Sequence, residues 1–334
     1  MSKTHSFYKI FTISSLLLIV FITLPSTATA TTMSPVRLEL TANPGETVQT
    51  SVKVINETQN SQVLYTATLN FEPKGDESGE PNFISTKDGL AAWTKAPNSI
   101  TLGPKEQKTI PVSIQIPADT EPGGYFGAVF TSSTPPKENG SGSVMLTERV
   151  GSLILLRVNG DLADSGDILE FNTKDKSYWH TYLPINLFYR FQNSGLDRVR
   201  PLGDVLIKNW FGRTTKIFEA NPEGGNVLPK SIRRFNISWN NADTQDDPAA
   251  LSGFWSKVRY QIQHFALGPY TIQLNLAYGT GSLHAATASV KVFMFPWQLV
   301  LVSTISILLA FFISRFCIRR YNRWIIGKAS KAKR

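Results

Sequence analysis

From Val48 to Val54 the chain alternates one for one, with Val48, Thr50, Val52 and Val54 on one face and Gln49, Ser51 and Lys53 on the other. A repeat of two residues is the signature of a β-strand with one buried face, because successive side chains point to opposite sides. The same alternation gives Val63, Tyr65, Ala67, Leu69 and Phe71 as the apolar face of another strand, and Ile110, Val112, Ile114 and Ile116 as that of a third. Between such runs stand Asn43-Pro44-Gly45, Gly103-Pro104 and Glu121-Pro122-Gly123-Gly124, residue types that set turn dihedrals. The later half follows the same pattern. Leu183, Ile185, Leu187, Tyr189 and Phe191 line one strand face, and Tyr270, Ile272, Leu274, Leu276 and Tyr278 another.

Leu102, Pro104, Lys105, Lys108, Ile110, Val112 and Ser113 recur as Val227, Pro229, Lys230, Arg233, Phe235, Ile237 and Ser238, each at an offset of 125 residues. Both copies lead on to a glycine-containing turn and a tyrosine, Gly124-Tyr125 and Gly268-Pro269-Tyr270. Short strands bounded by turns, with almost no helical pattern between them, predict an all-β fold: two antiparallel immunoglobulin-like β-sandwich domains in tandem. The expected boundaries are 31–160 and 161–293, with Pro135–Ser143 a loop and Val150–Val158 the last strand of the first domain.

One stretch of the second domain, near 247–266, has helical period through Leu251, Phe254, Trp255, Val258, Ile262 and Phe265, with Asp247-Pro248 as its expected N-terminus. Two readings stay open for it. Either the helix covers one end of the sandwich, or it docks on a partner or membrane surface, with Lys257, Arg259 and His264 along its other side.

The formal net charge is +9, which taken alone suggests a nucleic-acid partner. Position excludes that reading. Residues 315–334 hold eight basic and no acidic side chains, and residues 1–30 hold Lys3 and Lys9, so the remainder is nearly neutral. The N-terminal segment, with its apolar run Ile10–Leu24 and Ala28-Thr29-Ala30, reads as a signal peptide cleaved after Ala30. From 294 to 314 no charge interrupts the apolar sequence; Trp297 stands at its entry and Arg315, Arg319 and Arg320 follow it. That order predicts a single transmembrane helix with the N-terminus outside and the basic tail in the cytoplasm. No sorting motif precedes it and no cysteine follows the cleavage site, so this helix is the expected lasting anchor. Cys317, the one cysteine, lies at its inner end, and the extracytoplasmic part must fold without disulfides.

Candidate chemistry is sparse. The histidines of the mature chain, His180, His264 and His284, stand in no ligand or triad spacing, and no zinc, phosphate-loop or nucleophile-elbow motif occurs. No cofactor and no enzymatic activity is expected. Asp161, Asp164 and Asp167, with Asn159, are weak candidates for calcium, which takes oxygen ligands. Tyr178, Trp179, Tyr182, Trp210, Phe254 and Trp255 are candidate binding residues, since aromatic rings stack on sugars and peptides. Asn56, Asn139 and Asn236 begin glycosylation sequons.

The order of parts resembles the WxL-interacting cell-surface proteins of Gram-positive bacteria. The likeness rests on Pro35-Val36, Pro44-Gly45-Glu46, Asn56, Pro122-Gly123-Gly124-Tyr125, Gly268-Pro269-Tyr270, the span and the basic tail. It implies peptidoglycan binding by the first domain and protein binding by the second, although the helical stretch near 247–266 departs from that pattern. The expected role is thus a non-enzymatic envelope protein that binds peptidoglycan or a partner surface protein. A membrane-tethered assembly chaperone that lends strand edges to secreted subunits is the alternative.

Overall fold

The computed structural model describes residues 31–86, 88–135, 149–240, 251–279 and 283–332. The signal segment with Ala28 and Ala30, nearly all of the Pro135–Ser143 loop, the Asn139 sequon and Asp247-Pro248 lie outside the described residues.

The chain divides into two compact units, one of residues 31–72 and 83–160, the other of residues 73–82 and 161 onward. In the first, β1 (Thr31–Ser34), β3 (Thr47–Asn56), β8 (Gln107–Gln115) and β6 (Thr94–Lys95) form one sheet. β2 (Arg37–Ala42), β10 (Arg149–Val158), β9 (Gly123–Ser132), β4 (Gln62–Pro73) and β5 (Pro81–Ile84) form the other, with β7 (Ser99–Leu102) paired to β4. β1 with β3, β3 with β8, β6 with β8, β9 with β10, and β4 with β9 and β7 pair antiparallel, while β10 and β2 run parallel from Leu153 opposite Arg37 to Val158 opposite Ala42. Val52, Val54, Ile110, Val112 and Ile114 from the first sheet meet Leu64, Val129, Ile154, Leu156 and Val158 from the second in one buried core. The unit is a β-sandwich, and each fully buried aliphatic side chain in it contributes about 1.5–3 kcal/mol.

On β4 the expected inward face is corrected. Leu64 is the core residue at 2% exposure, while Val63 is 47% exposed. The outer face misled because it is apolar in its own right: Phe71 lies 5.9 Å from Phe83 and 5.8 Å from Phe126, and Phe83 lies 4.9 Å from Phe130. Gly151, opposite Phe130 on β10, leaves the room this cluster needs, since a Cβ there would come within 2.5 Å of that ring. Inward-facing Asn70 holds the short helix α1 (Gly89–Trp93) by accepting from the Ala91 amide and donating to the Asp88 carbonyl.

In the second unit β11 (Gly166–Thr173), β13 (Ile185–Asn193) and β16 (Ser231–Trp239) form a three-stranded sheet. Facing it is the order β12 (Trp179–His180), β18 (His284–Met294), β17 (Gly268–Tyr278), β14 (Leu202–Lys208), β15 (Thr214–Glu219). Leu183, Ile185, Leu187, Tyr189, Phe191, Phe235, Ile237 and Trp239 meet Val205, Ile207, Ile272, Leu274 and Val292 in its core.

The 125-residue repeat has a backbone counterpart: Lys105 and Lys230 both take left-handed φ, at 58° and 53°, in the turns before β8 and β16. Each unit also ends its second long strand on a fully buried asparagine. Asn56 donates to the carbonyls of Asn60 and Gly103, and Asn193 to those of Asp197 and Val227. Glycosylation of the folded chain at Asn56 is therefore excluded, because its amide is consumed inside the turn.

Among the described residues two further helices follow, α2 (Phe254–Gln263) and α3 (Trp297–Ala332). α2 begins later than the Asp247-Pro248 signal suggests, with Gly253 at its N-cap. Within α3, Trp297–Ile325 is long and apolar enough to cross a membrane, and apart from Gln298, which is buried, it is open along Leu301–Ile325.

Segment 73–82 is fastened within the second unit by a forked ion pair: Arg190 Nη2 to Glu77 Oε1 at 2.5 Å, and Nε to Oε2 at 2.8 Å. The hydrogen bond from the Arg190 guanidinium holds the Glu77 carboxyl below the ordinary glutamate range. A depressed carboxylate stabilises the fold above its unfolded-state pKa, and that contribution disappears as pH falls through the folded value. Arg190→Ala is expected to raise the Glu77 pKa in a carboxyl-detected NMR titration. The stability difference between wild type and Glu77→Gln is expected at neutral pH and to vanish in acid.

Candidate functional site

Three places bring predicted aromatic residues to the surface. The most exposed is the turn between β14 and β15, where Trp210 and Phe211 are 71% and 73% exposed. Asn209 wires this turn. Its side-chain oxygen accepts from the Phe211 and Arg213 amides at 3.1 Å each, its backbone amide donates to the Arg213 carbonyl, and its carbonyl accepts from Gly212. Gly212 supplies the positive φ, 74°, that closes the turn. The two rings meet edge to face at 4.8 Å, so each limits the other's rotation. Lys208 is drawn aside to Gln273, 2.7 Å away, which leaves Arg213 as the exposed cation beside the rings. A rigid apolar pair on a strand-borne tip adds nothing to the core. Its two flat faces are available for stacking against a sugar ring or a peptide. The aromatic character of Trp210 is legible in the sequence, whereas the role of Asn209 emerges only from the geometry.

The second place is formed by Tyr178, Trp179 and Phe293. Trp179, 62% exposed, lies 4.6 Å from Phe293, its partner residue in the parallel β12–β18 bridge. Tyr178 meets Trp179 at 5.6 Å. This trio packs β12 against β18, the last strand of the unit, and leaves the Trp179 indole exposed.

The third place lies where α2 meets the first turn of α3. Gln261, 2% exposed, accepts from the Leu299 amide at 2.9 Å and donates to the Gln298 side chain at 2.6 Å. Gln298 in turn donates to the Tyr182 hydroxyl, also at 2.6 Å. Tyr182, a candidate binding residue by its sequence, is thereby tied into a hydrogen-bonded network with Gln298 and Gln261. Tyr260 anchors the same helix by donating to the Leu183 carbonyl, at 3.0 Å. Of the apolar residues that gave α2 its period, Val258 is buried, while Phe254, Trp255 and Ile262 are 37%, 71% and 59% exposed.

Among the described residues no cluster of three or more His, Cys, Asp or Glu side chains is gathered, so the Asp161, Asp164 and Asp167 carboxylates are not brought together. Asp167 accepts instead from the Ile168 amide. The histidines are separated and individually engaged. His180 Nε2 lies 2.9 Å from the Ser177 carbonyl, His264 stacks on Tyr260 at 4.1 Å, and His284 stacks on Tyr278 at 5.5 Å.

No protein-family model matches the chain, and no curated protein does. Among solved structures it is similar to the class 5 fimbriae chaperone CfaA, with 12% identity, coverage of 80% of this chain and 100% of that one, and a TM-score of 0.37. It is also similar to the Salmonella enterica SafA pilin in complex with the SafB chaperone, with 11% identity, coverage of 79% and 98%, and a TM-score of 0.36. For the E. coli chaperone DraB the figures are 10%, 78% and 96%, and 0.33. At these scores the likeness assigns neither partner nor activity to this chain.

Because Trp210 and Phe211 contribute to no core, their joint replacement by alanine is expected to change unfolding free energy by less than about 0.5 kcal/mol. Trp239→Ala, which empties a core position, is expected to cost about 3–5 kcal/mol in the same denaturant titration.

Proposed function

We propose that this chain is a non-enzymatic cell-envelope binding protein, held by α3 as a single membrane span with its β-sandwiches outside and its basic tail in the cytoplasm. The expected orientation follows from the exposed Arg315, Arg319 and Arg320 at one end of the span, since each cation near an anionic leaflet is worth about 1 kcal/mol. The observation that carries the binding role is the turn of Trp210 and Phe211, an aromatic platform stiffened by Asn209 and displayed to solvent. Peptidoglycan, whose sugars and peptide stems both stack on aromatic rings, is the ligand class it fits. The resemblance to WxL-interacting surface proteins points in the same direction.

A second reading, the membrane-tethered assembly chaperone, is favoured by one feature. β16 is an edge strand among the described residues. The Arg234 amide on its open side is taken by the Glu77 carbonyl, and by alternation Asn236 and Ser238 turn their backbone groups to the same side. An incoming extended segment could pair there. In the first unit β8 is paired by β6 at Ser113 and Ile114, and beyond that pairing it carries Pro111, which has no amide to donate.

Sedimentation of the detergent-solubilised full chain with purified cell-wall sacculi tests the proposal. Retention of wild type and at least about tenfold weaker retention of the Trp210→Ala/Phe211→Ala variant is the expected outcome, equivalent to about 1.4 kcal/mol. Equal retention of both contradicts the platform assignment. Absence of retention together with co-purified unfolded subunits overturns the reading in favour of the chaperone.

A further inference from the structure

We propose that α2, with the residues that flank it, is an interfacial element docked in the outer headgroup layer of the membrane that α3 enters. This inference rests on the reading of α3 as a membrane span. The helical part of the uncharged stretch, Trp297 to Ser314, has eighteen residues, which at a rise of 1.5 Å each cover about 27 Å. The hydrocarbon of a bilayer is ~30 Å thick, so the span has no slack and Trp297 lies at the outer boundary. Gln261 is bonded to Gln298 and to the Leu299 amide, which places α2 at the same depth. Phe254 adds a ring contact with Trp297 at 6.2 Å.

What α2 shows at that depth suits a lipid surface. Trp255, Ile262, Phe265 and Leu267 are 71%, 59%, 55% and 47% exposed, and Phe295 and Trp297 continue the patch at 40% and 43%. In bulk water so large an apolar surface on a small helix has no compensation; at the headgroup boundary its contacts with water are replaced by burial among lipid. Arg259 stands exposed on the same helix and Lys257 half-exposed, in reach of anionic headgroups, and α2 carries no acidic residue. The polar groups that face the span, Gln261 and Gln298, are paired to each other, so no unsatisfied amide is carried toward the hydrocarbon.

The test uses the full chain with Cys317→Ser in nanodiscs of phosphatidylcholine and phosphatidylglycerol, carrying an environment-sensitive fluorophore at Trp255→Cys, at Leu308→Cys in mid-span, or at Lys216→Cys on β15. Nitroxide is placed either on the headgroup or deep in the acyl chain. The label at 308 is expected to lose most of its emission to the deep quencher, and the label at 255 to the headgroup quencher, with blue-shifted emission. A label at 255 that stays red, unquenched and open to iodide, while 308 is quenched, overturns the docking and leaves the span intact. Failure at 308 overturns the span itself. Blue-shifted emission at 255 without lipid quenching overturns the proposal in favour of a protein partner. The label at 216 shows whether quenching is specific: equal quenching at 216 and 255 also contradicts the proposal.

Discussion

The first turn of any helix leaves backbone amides without intrahelical acceptors, and in α3 one of these, Leu299, is satisfied by the side chain of a different helix. That bond from Leu299 to Gln261 is the constraint on which the lower part of the molecule depends. Gln261 is buried and uses its other atoms on Gln298 and on the Thr181 carbonyl, so three segments distant in sequence meet at one side chain. Losing it would leave buried donors and acceptors unmatched, at about 1–3 kcal/mol for each group. The last sandwich is consequently seated on the apolar helix itself, with no flexible linker between β18, which ends at Met294, and α3, which begins at Trp297.

Each sandwich achieves the same definition by other means. With no cysteine among the strands, the cores rely on two-sided apolar packing and on polar groups that close the turns. Asn56 and Asn193 are the clearest of these. Each is fully buried, and each joins the end of a long strand to the turn that follows and to the segment ahead of β8 or β16. Neutral, doubly donating amides suit this role, since a charge buried there would require a partner and an apolar residue would leave two carbonyls unpaired.

Much of this architecture is legible in the sequence because period two is directly a statement about burial. The strand faces through Val52, Ile110, Tyr189 and Leu274 are all inward, and the repeat of Lys105 at Lys230 marks a shared turn. β4 is the instructive exception. Its two faces are both apolar, one against the core through Leu64 and one beneath Phe83 and Phe130, so alternation alone assigns the wrong parity. α2 fails for a related reason: helical period shows that an apolar stripe exists but not what covers it. The stripe through Phe254, Trp255 and Ile262 is open, and polar Gln261 and Tyr260 are the residues that anchor the helix. The binding candidates divide in the same way. Tyr182 is tied to Gln298 and Trp179 packs on Phe293 while still exposed, whereas Trp210 is displayed by an Asn209 turn that no local residue pattern announces.

A binding surface on a sandwich seated directly on its anchor is presented at a set height and angle, whereas a surface on a flexible stalk samples many. Pulsed electron–electron double resonance between spin labels at Lys291→Cys on β18 and Thr304→Cys on α3, in the Cys317→Ser chain in nanodiscs, reads that rigidity. A single narrow distance distribution is expected, broadening when Gln261 is replaced by alanine. A broad distribution in the chain with Gln261 intact would contradict rigid seating.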